Sequence, residues 1–132
     1  MYEVALEAVP DIPNEEDFSP TFDEWLAFEN RPSRRPELVF VAVAGDEVVG
    51  YSALDVFGPR VFNGLTAVRR AWRRRGVATA LKHAGIAAAK AAGFARLQTE
   101  SEERNVPMRT LNERLGYVPV PGMIVFEGPL VE

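Results

Sequence analysis

The chain has 132 residues, 47% hydrophobic, 10% aromatic and 26% charged, which predicts one folded domain with one core and excludes a disordered or fibrous protein. It has no cysteine and one histidine, His83, so a disulfide framework, a thiolate or multi-histidine metal site and a cysteine nucleophile are all excluded. The net charge of -4 hides an asymmetry: residues 1–30 carry acidic side chains and no Lys or Arg, while Arg69, Arg70, Arg73, Arg74 and Arg75 crowd into one short stretch.

Met1–Val9 is too short to hold both a strand and a helix. The stretch between Pro10 and Pro20, DIPNEEDFSP, is punctuated by prolines and reads as an irregular acidic connection. Thr21 then caps a helix, with Glu24 three residues on completing a capping box, and Phe22, Trp25 and Phe28 read as packing onto a sheet before the helix stops near Asn30. Leu38–Ala44, LVFVAVA, is a nearly continuous apolar run and reads as a buried strand. Gly45 and Asp46 turn it into Val48–Phe57, a second antiparallel strand. Val61–Val68 follows as a third strand, with Gly64 a candidate bulge.

From Arg75 or Gly76 the character changes to strong helix formers, with Leu81, Ala84 or Gly85, Ala88 and Ala92 on a small-residue face and Gly93 at the C-terminal cap. Phe94–Thr99 reads as a strand. Asn105–Leu115 reads as a second long helix with Pro107 in its first turn and Met108, Leu111 and Leu115 facing inward. Met123–Phe126 supplies a last strand. Meandering strands followed by a crossover unit predict the α/β class, a mixed, mostly antiparallel sheet flanked by helices.

The arginine stretch runs from a strand end into a helix start, Val68-Arg-Arg-Ala-Trp-Arg73-Arg74-Arg75-Gly76-Val77-Ala78-Thr79. The first amides of a helix have no intrahelical partners and the helix dipole is positive there, so this junction suits a diphosphate. A solvated basic patch or a nucleic-acid site is the other reading of five clustered arginines. The glycine register and the acidic remainder of the chain favour the phosphate cradle, with no nucleic-acid partner. No apolar run reaches the roughly 18 residues of a membrane span, and the acidic start is unlike a signal peptide, so a cytoplasmic protein with no membrane contact is expected.

Arg73-x-x-Gly76-x-Ala78 resembles the R/Q-x-x-G-x-G/A acyl-coenzyme A pyrophosphate motif of the GNAT acetyltransferase superfamily. Leu81, Leu97–Thr99, Asn105, Met108, Leu111 and the closing Leu115-Gly116-Tyr117 extend the likeness over roughly residues 38–126. The segment is similar in particular to the C-terminal acetyltransferase domain of two-domain actinobacterial-type proteins. The resemblance implies transfer of an acetyl group from acetyl-coenzyme A to a small-molecule or peptide amine, with no metal. Main-chain groups at Val68 would pair with the pantetheine arm. Amides of Arg74, Arg75, Gly76, Val77, Ala78 and Thr79 would hold the pyrophosphate, with the Thr79 hydroxyl as a further donor. Asn105 would touch the coenzyme, and Arg73 would serve either ligand or structure.

Glu100, at a strand end, has two readings: a surface carboxylate, or the base that deprotonates the acceptor ammonium. The family's tyrosine general acid falls at Asn112, which cannot donate a proton in that way, so the acid is left open. The family's opening strand has no counterpart in Met1–Val9. An exposed sheet edge or an uncovered apolar face would follow, and from it a homodimer. The alternative to an active enzyme is a coenzyme-binding domain without transfer activity.

Overall fold

A computed structural model describes residues 1–8, 20–100, 106–119 and 125–129. The acidic connection after Val9, Asn105, and Met123 and Ile124 of the expected last strand lie outside them. Four helices and six strands occur among the described residues: α1 Tyr2–Ala8, α2 Phe22–Glu29, β1 Arg34–Ala44, β2 Glu47–Phe57, β3 Arg60–Val68, α3 Val77–Ala91, β4 Arg96–Glu100, α4 Val106–Arg114, β5 Val118–Pro119 and β6 Val125–Pro129. They form one mixed sheet in the order β1-β2-β3-β4-β6-β5, antiparallel except where β3 meets β4.

Tyr2–Ala8 forms a helix and not a short strand. Val4, Ala5 and Ala8 fall on one helical face and are buried against Trp25, Tyr51 and Ala67. Its outer face carries Glu3 and Glu7, which pair with Arg69 at 3.1 and 3.5 Å, and Glu47 meets the same guanidinium at 3.4 Å. The first arginine of the cationic stretch is thus spent on holding α1 to the sheet.

The capping box on α2 forms as expected: Thr21 Oγ1 accepts from the Glu24 amide and Glu24 accepts from the Thr21 amide. Of its three aromatic residues only Trp25 is buried. Phe22 packs on Tyr2 and Trp25 at the rim, and the exposed Phe28 ring lies 4.0 Å beneath the Arg31 guanidinium. The apolar run in β1 also misled. Leu38 is buried, but Val41 and Val43 are 41% and 60% exposed because β1 is an edge strand with one face open.

The sheet separates two apolar clusters in place of the one core expected. On one face lie Leu38, Leu54, Val56, Val61, Ala89, Leu97 and Tyr117, covered by α3. On the other lie the residues of α1 and α2 with Tyr51 and Ala67. The inner stripe of α3 is Leu81, Lys82, Gly85 and Ala89, one position from the expected Ala88, while Ala92 is exposed. Close packing depends on Gly50 of β2: a Cβ there would meet Ala67 O at 3.0 Å and Val77 Cγ1 at 3.1 Å. Nothing larger lets the start of α3 rest on the sheet.

Asp55 of β2 anchors the polar end of this second face. It accepts from Arg31 at 2.5 Å, Ser33 at 3.0 Å and Arg34 at 3.2 Å, and Arg34 also pairs with Glu29. Asp55 and Arg34 are almost wholly buried. Removing one partner of a buried, hydrogen-bonded charge cluster strands the others. Asp55→Ala is therefore expected to cost about 3 kcal/mol of stability in urea unfolding, against about 1 kcal/mol or less for Arg69→Ala at the more exposed hub.

Candidate active site

Parallel pairing of β3 with β4 is confined to Phe62 with Gln98 and Asn63 with Thr99. The register of β2 against β3 slips between Ser52 and Leu54, placing one extra residue in β3 at Gly64–Leu65, the bulge expected at Gly64. Bulging bends a strand and strengthens its twist. Beyond this point β3 leaves β4, and the end of β3 borders a groove of about 820 Å³ walled by Thr66, Ala67 and Val68 on one side and by Met108, Leu111 and Arg114 of α4 on another.

The mouth of that groove is the arginine turn. After a 3-10 turn at Arg70–Trp72, Arg74 takes φ +63°, the one positive value among described non-glycine residues, and Gly76 takes φ +82° as the N-cap of α3. Left-handed residues in a tight turn point successive amides into one concavity, and here the fifteen-residue α3 adds its own free amides behind them. Val68, Arg73, Arg74, Gly76, Val77, Ala78 and Thr79 all line the groove. Arg73 Nε also donates to Val68 O at 3.1 Å, which ties the turn to the strand end. Arg75 is not part of the wall; its guanidinium lies over the Trp72 ring, 4.8 Å from the centroid. Asn105 lies outside the described residues. Glu100 is the last residue of β4, next to Thr99, and its backbone pairs with Val125 of β6.

Three features escaped the sequence. Met108 and Leu111 form groove wall, where core packing was expected. Asn112 is fully buried with neither amide atom hydrogen-bonded among the described residues, and the Tyr117 hydroxyl is likewise buried and unpartnered among them. Lys82 is the third: 3% exposed, it donates to Asn63 Oδ1 at 3.0 Å and to Thr99 Oγ1 at 3.5 Å. Its spacing from Gly85 and Ala89 on the inner stripe of α3 was the available signal. Among the described residues no group of three His, Asp or Glu is placed to hold a metal ion.

The chain matches the family model for the acetyltransferase (GNAT) family over residues 2–117. It belongs to that family. Its fold is similar to the ribosomal-protein-S18-alanine N-acetyltransferase from Escherichia coli (TM-score 0.77, 18% identity, 99% of this chain and 86% of that one). It is also similar to Ard1 from Thermoplasma volcanium (TM-score 0.79, 17% identity, 100% and 90%). A third likeness is to the PaiA N-acetyltransferase from Thermoplasma acidophilum in complex with coenzyme A (TM-score 0.70, 12% identity, 96% and 89%). No curated protein matches the sequence.

Burial lowers Lys82 to about 8, against an ordinary lysine value of roughly 10.4. Below about pH 8 the folded chain carries the full cost of a desolvated ammonium. Between that pH and the ordinary value the unfolded chain holds a proton that the folded one has released, so stability rises with pH. Wild-type protein is expected to gain about 2 kcal/mol relative to Lys82→Met between about pH 7 and about pH 10 in denaturant titrations, and a pH-independent difference would contradict this burial.

Proposed function

We propose that the protein is an acetyl-coenzyme A-dependent N-acetyltransferase acting on a primary amine of a small molecule or peptide. The observation that carries this reading is that the end of β3, past its short parallel pairing with β4, and the amide-lined start of α3 share one groove. The groove fits the coenzyme's chemistry: cationic side chains and free amides at the mouth for a diphosphate, and an unpaired strand edge at Thr66–Val68 for an amide-bearing arm. When bound, the coenzyme supplies an acyl thioester.

The chain's own residues then have separable tasks. Arg73, Arg74 and the amides through Thr79 bind the diphosphate, and the backbone at Val68 aligns the arm as an added strand. Arg75 contributes its amide to the turn while its side chain braces Trp72. Asn105 follows the family pattern as a further coenzyme contact. Glu100, one residue beyond the fork, takes a proton from the acceptor ammonium, whose ordinary pKa near lysine's roughly 10.4 keeps it from attacking unaided. A strand amide near Val68 donates to the oxygen that gains charge. Direct transfer in a ternary complex is supported by a sequence with no cysteine to carry the acyl group. The reaction as read needs no metal, nucleic acid or membrane, and a cytoplasmic setting suits it; no described helix is long and apolar enough to cross a membrane.

Asn112 favours a second reading, a domain that binds the coenzyme without transfer, because the position of the family's proton donor holds a buried, unpartnered amide. Thiol release over an amine panel separates the two: coenzyme binding with no turnover on any amine selects the second.

Gly76→Asp tests the cradle. It forces a β-carbon into φ +82° and sets a carboxylate among the amides. Coenzyme A affinity should fall at least about tenfold in calorimetry while the circular dichroism spectrum is retained; unchanged affinity in a folded variant rejects the placement.

The exposed edge of β1, with Val41 and Val43 outward on an uncharged run, supports a homodimer joined along that strand. Sedimentation equilibrium should give twice the chain mass at micromolar concentration and a single-chain mass for Val43→Lys, whereas a wild-type monomer across the range sinks the dimer.

A further inference from the structure

Trp72 is a large apolar side chain that the core does not use. Of the two tryptophans, Trp25 is buried among α1, α2 and the sheet, whereas Trp72 belongs to neither apolar cluster and stays half-buried in the 3-10 turn at the mouth of the groove. Its backbone is fixed there, the Trp72 amide donating to Arg69 O at 2.9 Å. So is its ring, because the Arg75 guanidinium lies over one face, 4.8 Å from the centroid. Arg75 is absent from the groove wall while Trp72 is part of it, so the surface that the indole turns to the groove is not the one that the guanidinium covers. Arg73, Arg74 and the first turn of α3 line the groove beside it.

We propose that Trp72 is the platform on which the nucleobase of the groove's ligand stacks, with Arg75 holding the ring from behind. This inference rests on the acetyltransferase reading, which gives the diphosphate to the turn and the amide-bearing arm to Val68 and leaves the base without a place. Base and arm leave opposite ends of the diphosphate. With the arm directed along the end of β3, the base is left at the mouth, and there Trp72 is the one aromatic side chain in the wall among the described residues.

A purine offers a flat π-face, and stacking it on an aromatic ring removes water from both surfaces while asking nothing of the base's edges. A cation on the far face of the indole is attracted by the ring's quadrupole. It also sets the ring's orientation before any ligand arrives, so little side-chain freedom is left to lose on binding. The arginines alongside supply charge-assisted bonds to the phosphates. A stack of this kind separates base from no base and not one purine from another, so the ligand class is a purine nucleotide carrying a diphosphate. Nucleic-acid strands are held by successive stacked bases along a cationic groove, and one ring in the described wall of a chain of net charge -4 accommodates one base.

The test needs no acceptor and uses the full chain with three probes: coenzyme A, ADP, which keeps base and diphosphate without the arm, and inorganic pyrophosphate, which has neither base nor arm. Coenzyme A and ADP should quench the tryptophan emission of the wild type, and pyrophosphate should leave it unchanged. Trp72→Leu should lose at least about tenfold in affinity for both nucleotides in calorimetry while binding pyrophosphate as the wild type does. Trp72→Phe keeps a ring, so it should hold nucleotide affinity within about threefold and lose the quenching. That variant and the wild-type emission decide the matter if Trp72→Leu does not fold. Bound coenzyme A that leaves the emission unmoved overturns the proposal, as does a Trp72→Leu variant with unchanged ADP affinity or with the same loss for pyrophosphate, the mark of a merely structural residue. A single-stranded oligonucleotide that quenches the emission and displaces coenzyme A at equal concentration overturns it in favour of a nucleic-acid site. A chain that binds no coenzyme A overturns the acetyltransferase reading and this inference together, whereas binding without quenching overturns this inference alone.

Discussion

Pairing between β3 and β4 at only two positions, Phe62 with Gln98 and Asn63 with Thr99, governs everything that lies beyond it. These strands are parallel, and parallel neighbours cannot be joined by a tight turn, so the chain must cross over through α3. A crossover helix starts where the first strand ends. The free amides of α3 are thereby delivered to the open side of the fork with no further instruction from the sequence, as in other open sheets whose sites lie beyond the carboxyl ends of strands. The bulge at Gly64–Leu65 bends β3 aside, and Gly50 lets Val77 settle close to β2. Fork, helix start and groove are consequences of one topological step.

Charge is distributed in the same modular way. The five arginines look equivalent in the sequence, yet they divide by what the backbone brings near them. Arg69 is claimed by Glu3, Glu7 and Glu47, Arg75 by the Trp72 ring, and Arg73 by Val68 O while still lining the groove with Arg74. Part of the acidic excess near the start of the chain therefore serves α1 docking rather than the surroundings of the site. A count of clustered cations overstates the field that an anionic ligand meets.

Much of this was legible in the sequence because local rules and tertiary demands agreed. The α2 capping box, the bulge glycine, Gly93 in a left-handed cap and the arginine-to-helix junction are each fixed by the conformations that a few neighbouring residues can adopt. What was missed depends on distant parts of the chain. Val41 and Val43 read as interior until β1 is known to be an edge, and Phe22 and Phe28 read as packing until Tyr2 and Arg31 are known to cover them only partly. Lys82 drew no reading from the sequence because composition alone never predicts a buried cation; only its place on the stripe with Gly85 and Ala89 betrays it.

Two buried charged groups show how differently one fold can treat the same cost. Asp55 is surrounded by Arg31, Arg34 and Ser33, so its charge is neutralised on the spot and its effect is confined to joining β2 to the chain leading out of α2. Lys82 receives only neutral oxygens. The first arrangement holds structure together and projects little field beyond itself. The second is a poor way to stabilise a fold, since an isosteric apolar side chain would avoid the desolvation.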